Sequence, residues 1–424
     1  MPHPYHSLRT FLTQAKSTLQ SSIEHGKKVT FVIGNESADL DSLTSSILYA
    51  YIRSNSPPKR AFSPIYIPVL NIPYDDIKLR PEFLALLPYA NLEPGHLITL
   101  NDLPRDLASK LPPENTKWIL VDHNALQGRL GSTYSERIGG VIDHHDEENK
   151  VPRGTGEEPR VIDKSGSCTS LVVEYCREAW DQLGEESTPG APATRSGTAG
   201  KDTPDVDAQV AQFALASILI DTTNLSYKLT DHDTTAAEYL ESKIMASEQS
   251  TVVYKRDDYF AELTDAKGNI DGLTLYDILR KDYKEWETPT GKLGISSVVK
   301  NIDYFLQREK SDAGETKSNA LLHTIGDYAE KKGLSIFSLM TTSTSAEGEF
   351  QRELFIWAFS KKTLPVAKEF AESAHDELGL DESHTFNDIL DREGPKDGWR
   401  KVWWQRKVEH SRKQVAPLLR KAMD

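Results

Sequence analysis

Cysteine is scarce in this sequence: Cys168 and Cys176 are the only two among 424 residues. Two thiols cannot build a disulfide framework, which suits a reducing compartment. Long apolar runs are also missing. No stretch approaches the ~18 residues of a membrane-spanning helix, so no membrane partner is expected. The N-terminus lacks the apolar segment of a secretory signal. Residues 1–23 carry no acids and several Ser and Thr, as a mitochondrial leader would. Against that, Leu8, Phe11, Leu12, Ala15, Leu19 and Ile23 recur at helical spacing, which predicts a packed first helix. A cytoplasmic protein is expected, with a mitochondrial fraction as the alternative. Positive charge is in deficit: 50 Lys and Arg face 64 Asp and Glu, a net charge of −14. A general nucleic-acid binder is therefore not expected. One region departs from this balance. Residues 396–421 carry Lys396, Arg400, Lys401, Arg406, Lys407, Arg412, Lys413, Arg420 and Lys421 against Asp397 and Glu409. An acidic chain with one basic end suits a small or linear polyanion.

The length exceeds one ordinary hydrophobic core and predicts two domains. In the first half, apolar strand-like runs at Val29–Ile33, Ile65–Leu70, Trp118–Val121, Gly140–Ile142 and Arg160–Ile162 alternate with helical patterns at Leu43–Ile52, Cys168–Leu183 and Val210–Ile220. That alternation predicts an α/β fold: a mostly parallel sheet covered by helices on both faces. Residues 184–206 are rich in Gly, Pro, Ser and Thr, and are expected to be a disordered insertion dispensable for chemistry. The first domain is placed at 1–245. A smaller C-terminal α/β domain is placed at 258–424, with apolar runs at Leu293–Val299, Leu334–Met340 and Leu354–Phe359.

Ligands of parallel sheets bind beyond the carboxyl ends of the strands, so the residues there matter most. The first run continues into "GNESADLDS", with Asp39 and Asp41. "WILVDHN" ends in Asp122 and His123, and "GGVIDHHDEE" in Asp143, His144 and His145. A later helical run, "FALASILIDTTN", ends in Asp221. A single Asp after a strand is more often a cap or turn residue than a ligand. Four such endings gathered on one sheet edge are a different matter. Carboxylates held together repel unless cations neutralise them. Asp and His are the ligand types for a pair of divalent metals, and such a pair can activate water and clamp phosphoryl oxygens.

The set Asp39/Asp41, Asp122, Asp143-His144-His145 and Asp221 resembles the four motifs of the DHH phosphoesterase superfamily. The C-terminal half resembles a particular branch. "HSRKQVAP" at 410–417 is similar to the Ser-Arg-Lys motif of the DHHA2-type second domain found in manganese-type (family II) inorganic pyrophosphatases, prune proteins and fungal cytosolic exopolyphosphatases. "LRKDYKEW" at 279–286, with Lys284, is similar to the opening of that domain. The pyrophosphatases begin their first motif with a metal-binding histidine. Here Asn35 stands in that place, as in the exopolyphosphatases and prune proteins.

The resemblance implies an active site in the cleft between two domains. It implies two divalent ions held by Asp39, Asp41, Asp122, His144 and Asp221. An amide in place of imidazole favours Mg²⁺, with Mn²⁺ or Co²⁺ as alternatives. His145, Lys284, Arg412 and Lys413 are the implied catalytic residues, joined in substrate binding by Asn35, His123 and Ser411. Asp143 is expected to orient a histidine, and Glu36 to be peripheral. The implied reaction is attack of a metal-activated hydroxide on the terminal phosphorus of inorganic polyphosphate by a monomeric enzyme. The alternatives are a pyrophosphatase, a prune-like enzyme for short chains or cyclic nucleotides, an oligonucleotide exonuclease, and a polyanion sensor without activity.

Overall fold

A computed structural model describes residues 6–186, 203–248, 254–308, 317–394 and 398–424. The chain divides into two units, Met1–Asn269 and Ile270–Asp424.

In the first unit, α1 (Leu8–His25) forms where the apolar spacing predicts it and buries Leu8, Phe11, Leu12, Ala15 and Leu19. Ser7 caps its start, and Gly26 ends it in the left-handed region. β1 (Val29–Ile33) is buried along its whole length. After it come α2 (Leu40–Asn55), β2 (Tyr66–Val69), β3 (Thr116–Val121), β4 (Ile138–Asp143) and β5 (Arg160–Ile162). The unit then continues through α3 (Cys168–Glu186), α4 (Thr203–Asp221), α5 (Asp231–Met245) and α6 (Arg256–Gly268).

The five strands pair in parallel in the order β2-β1-β3-β4-β5. Near-continuous burial of β1 to β4 is what a parallel sheet with two covered faces requires. Phe31 of β1 stacks on Trp118 of β3 with ring centroids 4.4 Å apart. Strand order runs outward in opposite directions from these two neighbours. The gap beyond their carboxyl ends is therefore the topological switch point, where ligands of such sheets bind.

Two boundaries differ from expectation. α3 and α4 each extend a few residues into the expected insertion 184–206. Residues 187–202 lie outside the described residues. α6 begins where the second domain was expected near 258, yet it belongs to the first unit. Leu263 is buried in that unit's core, and the Tyr259 hydroxyl donates to the Gln212 carbonyl at 2.8 Å.

The second unit holds β6 (Tyr283–Thr288), β7 (Gly291–Val298), α7 (Lys317–Lys332), β8 (Ile336–Thr341), β9 (Glu353–Ala358), α8 (Leu364–Ser373), β10 (Leu380–Asp381), β11 (Arg392–Gly394), β12 (Gly398–Gln405) and α9 (Arg412–Met423). Its sheet runs β10-β12-β9-β8-β7-β6, with β11 also paired to β12. Only β7 and β8 pair in parallel, so the sheet is mixed. α9 places Val415, Ala416, Leu419 and Met423 in the core beneath it. Among the described residues no helix is long and apolar enough to cross a membrane.

Close packing at the switch point sets a sharp steric limit. A Cβ on Gly34 would lie 2.4 Å from the Ser42 Cβ and 3.0 Å from its Cα. Helix backbone cannot yield as a flexible side chain can, so overpacking here costs about 1–3 kcal/mol. Gly34→Ala should lower the melting temperature and weaken divalent-ion binding together, because Ser42 contacts the site described below. Calorimetric unfolding with and without Mg²⁺ checks this; an unchanged metal-induced shift in Tm would contradict it.

Candidate metal centre

The turn after β1 is built around Asn35. Its side-chain oxygen accepts from the backbone N–H groups of Ser37 at 2.8 Å and Ala38 at 3.2 Å. Its amide nitrogen donates to Asp122 Oδ2 at 2.7 Å and to the Asp122 carbonyl at 3.2 Å. Asp39 caps α2 by accepting from the Ser42 N–H at 3.1 Å. The Ser42 hydroxyl, one turn along, donates to Asp122 Oδ2 at 2.6 Å. Ala38 and Asp122 both sit in the left-handed region, with φ of 44° and 60°. For residues with a Cβ this is a strained choice that surrounding contacts must hold.

Asp41, in the first turn of α2, is buried and faces several donors. Its Oδ1 accepts from the Ser167 hydroxyl at 2.7 Å, the Thr169 N–H at 2.9 Å and the Thr169 hydroxyl at 2.8 Å. Its Oδ2 accepts from the Cys168 N–H at 2.6 Å. Asp41 thus serves as the anion at the N-terminus of α3.

His144 donates from Nδ1 to the Ser165 carbonyl at 3.0 Å. That bond turns Nε2, which carries the lone pair in the neutral ring, toward Asp122 Oδ1 at 3.4 Å and Asp41 Oδ2 at 4.0 Å. A lone pair facing carboxylate oxygens calls for a cation or a proton between them. His145 Nδ1 lies 2.9 Å from Asp143 Oδ1 and 3.7 Å from Asp122 Oδ1. Burial alone would raise the Asp143 carboxyl. Hydrogen bonds from His145 and Asn124 outweigh it and hold the group at about 2.

The remaining carboxylates go the other way. Burial, then the charges of Asp39 and Asp41, push Asp122 well above the carboxylate range, and His144 only partly opposes them. Burial, then Asp41, raise Asp221 well above it too, and Lys267 offsets part of this. Asp221 Oδ2 is enclosed and has no hydrogen-bond partner among the described residues. Asp122, His144 and His145 offer ligand atoms within 4.8 Å of one another. Repelling carboxylates, an aimed imidazole lone pair and an orphaned carboxylate oxygen all fit divalent cations. Asp122, His144 and His145 are the described residues whose ligand atoms lie close enough together to share such an ion.

Family models match both units. Residues 29–193 match the DHH family, N-terminal domain, and residues 261–422 match the DHHA2 domain. The chain carries a DHH-family N-terminal domain and a DHHA2 domain. A Schizosaccharomyces pombe protein named as a candidate exopolyphosphatase is 29% identical over 94% of this chain and 92% of its own. Exopolyphosphatase PRUNE1 of Homo sapiens is 24% identical over 95% of this chain and 78% of its own. The crystal structure of a candidate family II inorganic pyrophosphatase from Methanococcus jannaschii shares the fold. It has a TM-score of 0.54 and 20% identity, and covers 93% of this chain and 99% of that one.

In the DHHA2 unit, Lys284 lies on β6 and Ser411 caps α9. Arg412 opens α9 and donates to the Asp282 carbonyl at 2.8 Å and to Asp282 Oδ1 at 2.7 Å. This contact joins the Ser-Arg-Lys segment to the start of β6, 130 residues apart in the chain. Lys413 follows Arg412 in the first turn, its N–H donating to the Ser411 hydroxyl at 3.3 Å. In the DHH unit, His123 does not join the ligand group just described. Its Nδ1 lies 3.0 Å from the Val121 carbonyl of its own strand.

Several residues that shape the DHH site escape motif reading. Asp233 accepts from the Gly166 N–H at 2.8 Å, the Ser167 N–H at 3.1 Å and the Ser170 hydroxyl at 2.7 Å, and so clamps the turn whose Ser165 carbonyl orients His144. The capping box Thr230-x-x-Asp233 is legible in sequence as a helix start, but its reach to Gly166 is not. Ser42 and Asn124 close the segments GNESADLDS and WILVDHN, but nothing in those segments assigns them a partner.

Asn35 therefore acts on Asp122 directly. Asn35→Ala should weaken Mg²⁺ and Mn²⁺ binding about 10–100-fold, the usual cost of losing a residue that orients a ligand. Asn35→His should recover binding with a bias toward Mn²⁺ or Co²⁺, since imidazole suits these ions better than Mg²⁺. Titration of the metal-free proteins reads both; equal affinities in all three would remove Asn35 from the centre.

Proposed function

We propose that this protein is an exopolyphosphatase that releases orthophosphate from the end of inorganic polyphosphate. One observation carries the reading: Asp122, His144 and His145 cluster beyond the strand ends of a chain similar, over almost its whole length, to proteins named as exopolyphosphatases. Asp39, Asp41, Asp122, His144 and Asp221 would hold two divalent ions, with Mg²⁺ favoured by the oxygen-rich donor set. Bound there, such ions neutralise phosphate oxygens and acidify water.

The chain's own groups do the rest. Asp143, its carboxyl held low by His145 and Asn124, fixes His145 with Nδ1–H toward itself. His145 Nε2 is then the atom that contacts phosphate and carries a proton. Lys284, Arg412 and Lys413 bind phosphate oxygens and stabilise negative charge on the departing chain. Ser411 caps the helix that presents Arg412. His123 contributes to substrate binding.

Phosphate release should be measured on pyrophosphate, tripolyphosphate and long polyphosphate, each with Mg²⁺, Mn²⁺ and Co²⁺. Polyphosphate should give the higher kcat/KM. An equal or higher value on pyrophosphate would make the protein a pyrophosphatase, and release from none of them would discard hydrolysis of phosphoric anhydrides. Arg412→Ala should lower kcat about 10²–10³-fold, as loss of one charge-stabilising donor does. Its metal affinity should stay unchanged; a variant that keeps most of its turnover removes Arg412 from phosphate binding.

A further inference from the structure

Arg80 lies between β2 and β3, in a segment without any catalytic motif. Its residue is only 6% exposed. No carboxylate pairs with it among the described residues, and its hydrogen bond is a single one, from the guanidinium to the Ser37 carbonyl. Such a group is anomalous. A buried cation is costly unless an anion meets it, and a guanidinium has five N–H donors to satisfy.

The acceptor ties Arg80 to the turn that holds Asp122. Ser37 belongs to the turn after β1, and its N–H donates to Asn35, whose amide holds Asp122. Ser37 is itself buried, and its hydroxyl has no hydrogen-bond partner among the described residues. One turn residue thus joins a guanidinium without a carboxylate partner and a hydroxyl without a hydrogen-bond partner among the described residues, in the turn whose Asn35 grips Asp122. Both are donors that an anionic oxygen would satisfy.

Two plainer roles fall short. Holding the turn needs one donor to a carbonyl, which a neutral amide supplies without burying charge. Offsetting the acids is the task of divalent ions, and a fixed cation would compete with them. We propose that Arg80 and the Ser37 hydroxyl bind a phosphate group of the substrate within the DHH unit. The guanidinium fork matches two phosphate oxygens, and the hydroxyl a third contact. That the phosphate belongs to a polyphosphate chain rests on the function proposed above.

The test separates the two. Full-length wild type, Arg80→Met, Arg80→Lys and Ser37→Ala are loaded with Mg²⁺ and titrated calorimetrically with imidodiphosphate, whose P–N–P bridge resists hydrolysis. Metal affinity is measured separately on the metal-free proteins. Arg80→Met should bind the probe about 10–100-fold more weakly, as for loss of hydrogen bonds to a charged group. Arg80→Lys should fall between it and wild type, and Ser37→Ala should lose about 3–10-fold. Metal affinities should stay within about threefold. Probe binding unchanged in Arg80→Met overturns the proposal. So does a parallel loss of metal affinity, which would make Arg80 a prop for the turn, and so does a wild type that binds no probe. Should Arg80→Met fail to fold, Arg80→Lys and Ser37→Ala decide by the same criteria. If wild type binds the probe yet releases no phosphate from polyphosphate, the proposed activity fails and the Arg80 subsite stands.

Discussion

Asp41 is the residue on which the catalytic unit depends. It puts a full negative charge against the first N–H groups of α3, where the helix dipole and the unsatisfied donors favour an anion. The same carboxylate reaches α4 through buried hydroxyls. Thr169, which donates to Asp41, lies 2.9 Å from the Ser217 hydroxyl, and Thr44 bridges both at 2.8 Å. Ser217 sits one turn before Asp221. A charge on α2 thereby fixes the start of α3 and the approach of α4, and the helix that carries the last acid is set by the acid on the first.

The remainder of the centre is held with comparable economy of parts. Asp122 adopts a left-handed backbone that a residue with a Cβ avoids. Its N–H donates to the Ile142 carbonyl at 3.1 Å and to Cys168 Sγ at 3.2 Å. Its side chain is gripped by Asn35 and Ser42. Each strand end is therefore tied to its neighbour's loop. The cost is several buried carboxylates in one place, two of them pushed well above the ordinary range. A centre so arranged suits cations, and binding them would be linked to the order of the fold.

Much of this was legible in the residues themselves. The periods of the apolar runs placed all five strands of the first sheet and its main helices, because burial on both faces leaves a continuous apolar run and amphipathic packing leaves a 3.6-residue period. The clustering of Asp and His after those runs pointed to the edge where Asp122, His144 and His145 come together, since a parallel sheet brings its strand ends to one edge. The basic Ser-Arg-Lys segment stood out against an acidic chain.

Tertiary structure alone decided the rest. That α6 belongs to the first unit depends on what Tyr259 and Leu263 meet, not on their spacing. That Asn35 holds Asp122 depends on the register of β1 against β3, which brings residues 87 positions apart within hydrogen-bond reach. The same is true of Asp233 clamping the turn behind His144, and of Arg412 docking on Asp282. Local pattern reports which faces are buried, because hydrophobic free energy follows surface area and is blind to direction. Hydrogen bonds and ion pairs are directional and act between partners distant in sequence. Which acid is gripped, which histidine nitrogen is turned inward and which arginine is left unpaired were settled only when the chain closed on itself.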